Sequence, residues 1–81
     1  MTKSEFITTE LAKYDIRKEK PFRIAVSSNN DGADHAYGVH SAETEQFTDA
    51  TVGFAHQIPE ACEFLAIAWE KAAAQNAKYA H

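Results

Sequence analysis

Apolar side chains recur along this chain with two different periods, and each period predicts an element. Ile7, Leu11 and Tyr14 fall at i, i+4 and i+7, with Phe6 beside them, which is the stripe of an amphipathic helix. Thr2-Lys3-Ser4-Glu5 precedes that stripe as a capping box, with Thr2 as N-cap and Glu5 at the third helical position. The spacing predicts a helix over Lys3 to Tyr14. Its charged tail, "KYDIRKEKPFR", ends at Pro21, which biases Lys20 away from helix.

From Phe22 the period changes to two. Phe22, Ile24 and Val26 point one way and Arg23, Ala25 and Ser27 the other, a half-buried strand. "NNDG" is a dense turn signal, because Asn, Asp and Gly tolerate positive φ and bond their own backbone. "DHAYGVHSA" is expected to return as a second strand, with Tyr37 and Val39 toward the core. Its other face carries Ala36, Gly38 and Ala42, with Ala25 and Ser27 expected beside them. In "ETEQFTDATVGFA", Phe47, Ala50 and Phe54 fit a helical stripe, yet Thr48, Thr51, Val52 and Phe54 favour strand. The reading taken is a turn followed by a third strand, Gln46 to Ala55.

Pro59, well placed in a first helical turn, opens "PEACEFLAIAWEKAAAQNAKYA", which is rich in Ala, Glu, Leu and Lys. On a helical wheel Cys62, Leu65, Ala66, Trp69, Ala72 and Ala73 share one side, expected to face the core. Phe64 and Ile67 fall on the far side, so they are the candidate oligomer interface of a homodimer. The expected fold class is α+β, with element order α-β-β-β-α. A three-stranded antiparallel meander is expected between a short first helix and a long last helix.

Length and composition fit one small domain spanning residues 1–81. Cys62 is the one cysteine, which excludes an intramolecular disulfide and any multi-cysteine zinc site and suits a reducing compartment. "MTKSEFITTE" has no apolar signal core, and the longest apolar run, Phe64 to Trp69, is too short to span a bilayer. A cytoplasmic protein with no membrane partner is expected.

Charge is distributed unevenly. Met1 to Arg23 carries six Lys/Arg against four Asp/Glu. Between Arg23 and Lys71 there is no basic residue, while Asp31, Asp34, Glu43, Glu45, Asp49, Glu60, Glu63 and Glu70 supply eight negatives. Such asymmetry acts on partners through steering and repulsion.

The candidate chemistry is thin. Asp31, Asp34, His35 and His40, with His56 farther off, are legitimate ligand types. Strand parity, however, sends His35 and His40 to opposite faces. Asp34 and His40 stand roughly 20 Å apart along a regular strand at about 3.4 Å per residue. No metal site is therefore expected. No serine sits in a nucleophile elbow, Cys62 falls on a helix face where a thiol is packing, and no phosphate-cradling glycine motif exists. No catalytic residue and no cofactor are assigned, and the expected class is non-enzymatic.

The element order is similar to that of double-stranded-RNA-binding domains, which contact phosphates with lysines at the start of the last helix. Here that position reads Pro59, Glu60, Ala61, Cys62, Glu63, where acids would repel phosphate. The expected function is a small acidic protein-binding protein whose Asp31, Asp34, Glu43, Glu45 and Asp49 meet a basic surface on a protein partner. In size and acidity the chain resembles small phage-encoded inhibitors of host defence, anti-CRISPR proteins among them, which would place carboxylates where phosphates lie. The alternative is a small dimeric regulatory protein binding nucleic acid through Lys13, Arg17, Lys18, Lys20 and Arg23.

Overall fold

The computed structural model of the chain describes residues 1–14, 21–28, 36–42 and 50–79. The predicted order of elements is present: α1 (Lys3–Lys13), β1 (Phe22–Ser28), β2 (Tyr37–Ala42), β3 (Ala50–Ala55) and α2 (Ile58–Tyr79). The fold is α+β, as the two periods predict.

Local chemistry accounts for both ends of α1. The Thr2 side chain accepts from the Glu5 amide, and the Glu5 carboxylate accepts from the Thr2 amide, each at 3.2 Å. Two of the otherwise unsatisfied amides of the first turn are thus bonded. Tyr14 leaves the helix in extended conformation as its C-cap.

The sheet departs from the expected meander. Its order is β2-β1-β3, and both neighbours run antiparallel to β1. The first strand is therefore the central one, and β3 reaches the far edge by a crossover instead of a hairpin. Register pairs Val26 with Val39 and Ser28 with Tyr37 on one side, and Ile24 with Gly53 and Phe22 with Ala55 on the other. Between Ile24 and Ala25 the β3 register slips, leaving Val52 as the extra residue of a bulge. A bulge of this kind twists an edge strand and blunts its free side.

Residues opposite one another share a face. The even face of β1, Phe22, Ile24 and Val26, carries the hydrophobic core with Leu65, Ala55 and Phe6. Both helices lie on this side: α2 packs across all three strands, and α1 packs on α2. Ile24 and Leu65 are fully buried, and each such side chain stabilises by about 1.5–3 kcal/mol.

The buried stripe of α2 is Ala61, Leu65, Ala68 and Ala72. Relative to the expected face it is rotated by roughly 70°, at 100° per residue. Ala73 is exposed and Cys62 only half-buried. Three alanines let the helix axis approach the sheet closely. Phe64 and Trp69 then flank the contact, Phe64 toward β3 and Trp69 toward β2 and α1.

The odd face of β1 lies away from both helices. Arg23 sits there opposite Phe54, and Ala25 opposite His40 and Thr51. His40 therefore interrupts the small-residue face expected from Ala36, Gly38 and Ala42. Arg23 is 2% exposed and Ala25 is fully buried, whereas Phe54 is 42% exposed.

Candidate functional site

The five carboxylates expected to meet a partner, Asp31, Asp34, Glu43, Glu45 and Asp49, lie outside the described residues, as do His35, Arg17, Lys18 and Lys20. The third strand is described over Ala50–Ala55, so the expected segment 46–49 also falls outside. Strand ends on either side are fixed by register. β1 ends where β2 begins, at the Ser28–Tyr37 pair, and β3 begins two residues back along β1, at the Val26–Ala50 pair.

The structure changes the charge pattern at Arg23. Its guanidinium Nη1 donates to the Thr51 hydroxyl at 3.1 Å, and burial removes the side chain from the surface. Arg23 is the one basic residue between Pro21 and Glu70. That stretch consequently exposes no basic side chain, while it contains eight carboxylates. Of these, Glu63 and Glu70 are exposed and Glu60 half-buried. Lys13, another member of the proposed nucleic-acid-binding segment, pairs with Glu10 at 3.3 Å.

The remaining polar groups are used locally. Glu10, with 12% of its side chain exposed, accepts from the buried Ser41 hydroxyl at 2.7 Å and so ties α1 to β2. Lys3 pairs with Glu70 at 3.0 Å across the two helices. The His56 amide donates to Glu60 at 2.7 Å at the entry to α2. His40 lies in β2 and His56 between β3 and α2, and among the described residues no group of three or more His, Cys, Asp or Glu is placed to hold a metal ion.

Phe64 and Ile67 divide into two roles. The tip of the Phe64 ring rests on Gly53 so closely that a Cβ there would stand 2.8 Å from Cζ and 2.9 Å from Cε2. Ile67 is 38% exposed. Of the two candidate interface residues, Phe64 is therefore already occupied within the chain, and Ile67 faces outward.

One cleft, about 170 Å³, opens between β2 and α2; it is lined by Tyr37, Gly38, Val39, Trp69, Ala72, Ala73 and Asn76. It has a built rim. The Asn76 amide accepts from the Tyr37 N–H at 2.6 Å and donates to the Tyr37 carbonyl at 3.0 Å. A side chain thereby stands in for a neighbouring strand on the outer edge of β2. Tyr37 also stacks on Tyr79 at 5.9 Å with rings 16° apart. Desolvation first, then the charge and the hydrogen bond of Tyr79, raise the Tyr37 phenol above its ordinary value. The sequence signal for this rim is a single Asn, a poor helix former, in the last turns of an Ala-rich helix.

Among the described residues, no helix is long and apolar enough to cross a membrane. No protein-family model, no curated protein and no solved structure matches the chain.

Proposed function

We propose that this chain is a small acidic, non-enzymatic binding protein that docks on a basic surface of a protein partner. The observation that carries the reading is the burial of Arg23. With that cation inside, residues 21–70 contain eight carboxylates and no exposed Lys or Arg. A surface of one sign steers a partner of the opposite sign and repels phosphate. A partner whose basic groove normally holds nucleic acid is the best complement, the mode of action by which small phage-encoded inhibitors of the anti-CRISPR kind would work.

The competing reading, nucleic acid held by residues 13–23, is weakened by the same burial and by the Lys13–Glu10 pair. It leaves Arg17, Lys18 and Lys20, alternating with Asp15 and Glu19, to neutralise phosphate. A gel-shift series with DNA and RNA at low salt tests it, since retention that falls steeply with salt is the mark of phosphate contacts.

Homodimerisation belongs to the proposal through Ile67. Sedimentation of wild type against Ile67→Lys tests it: a dimer converted to monomer supports the interface, and identical profiles remove it. The protein-binding reading itself is tested by replacing Asp31, Asp34, Glu43, Glu45 and Asp49 together with Asn or Gln. Partner binding at low salt is expected to fall by an order of magnitude or more, because long-range charge attraction is strongest where screening is weakest. Unchanged binding would remove the electrostatic basis of the proposal.

A further inference from the structure

We draw no further inference here: the strongest candidate, the cleft of about 170 Å³ between β2 and the Trp69–Asn76 side of α2, carries nothing, because nothing in the structure shows what covers it.

Discussion

Truncating Phe6 to Ala tests how the first helix is held. Phe6 is the one buried side chain of α1, 8% exposed, and its ring lies 5.1 Å from that of Trp69 with a 36° tilt. Removing a buried Phe costs about 3–5 kcal/mol in a rigid core. Here α1 meets the rest of the molecule on one side only and can relax toward the gap, which favours the lower end. The aromatic pair adds about 0.5–1.5 kcal/mol beyond area, while the better helix propensity of Ala returns roughly 0.5 kcal/mol. The net expectation is a loss of about 3–4 kcal/mol. A domain of this size is stabilised by roughly 4–12 kcal/mol, at about 0.05–0.15 kcal/mol per residue, so the loss is a large fraction of the whole. The variant's melting temperature drops by roughly 12–32 °C, given about 4–8 °C per kcal/mol for small domains. Trp69 is the one tryptophan, so its emission reports the same contact and shifts to the red when the ring is uncovered. Thermal and urea unfolding followed by circular dichroism and by fluorescence measure the stability loss and the emission shift. A midpoint change worth less than about 0.5 kcal/mol, below any cost expected for a buried aromatic, together with unchanged Trp69 emission, would refute docking through Phe6.

Further predictions follow from individual contacts. Gly53→Ala forces the Phe64 ring aside, and a cycle with Phe64→Ala is expected to give a coupling of about 0.5–1.5 kcal/mol. Additive effects would mean the ring does not rest on Gly53. Asn76→Ala uncovers the Tyr37 backbone, so the Tyr37 amide is expected to lose hydrogen-exchange protection selectively while β1 amides keep theirs; equal protection in both proteins contradicts the edge cap. The raised Tyr37 phenol implies that the folded state holds that proton more tightly than the unfolded chain. The associated stability is fully present below about pH 10, the unfolded value, and is lost as the pH rises from there through the folded value. Tyr79→Phe removes the charge and bond that assist the shift, and ultraviolet titration is expected to show Tyr37 ionising earlier; no change would assign the shift to desolvation alone.

The parts of the fold legible in the sequence are those governed by neighbours along the chain. The Thr2–Glu5 box, the Phe22/Ile24/Val26 face and Pro59 in the first turn of α2 each depend on spacing or φ preference, and each stands where expected. Strand order was not legible. Alternation fixes which side of a strand is inward but carries nothing about which strand it neighbours, and a turn signal after β1 favours the meander that the β2-β1-β3 order replaces. The face of α2 was ambiguous because alanines surround the helix on nearly every side. Its rotation is settled by a non-local fit, Phe64 over Gly53, together with Phe6 against Trp69.

The charge pattern was legible as a count, and the burial of one member was not. Arg23 occupies an alternating position of a strand that reads as half-buried, where a guanidinium is expected in water. In the structure that position is nevertheless inside: Arg23 is 2% exposed on the sheet face opposite the helices. Its burial extends the stretch without an exposed Lys or Arg, already present in the sequence from Ile24 to Glu70, back to Pro21. The same burial takes a phosphate contact away from the basic segment.

Affinity capture with the intact chain and with the Asp31→Asn, Asp34→Asn, Glu43→Gln, Glu45→Gln, Asp49→Asn variant, at low and high salt, tests the central claim most directly. Wild type is expected to retain a basic nucleic-acid-binding protein at low salt and to release it as salt rises. The variant, with an unchanged melting curve, is expected to retain roughly tenfold less or none, the equivalent of about 1.4 kcal/mol or more. Equal retention of the same partner by both proteins, insensitive to salt, would contradict the account.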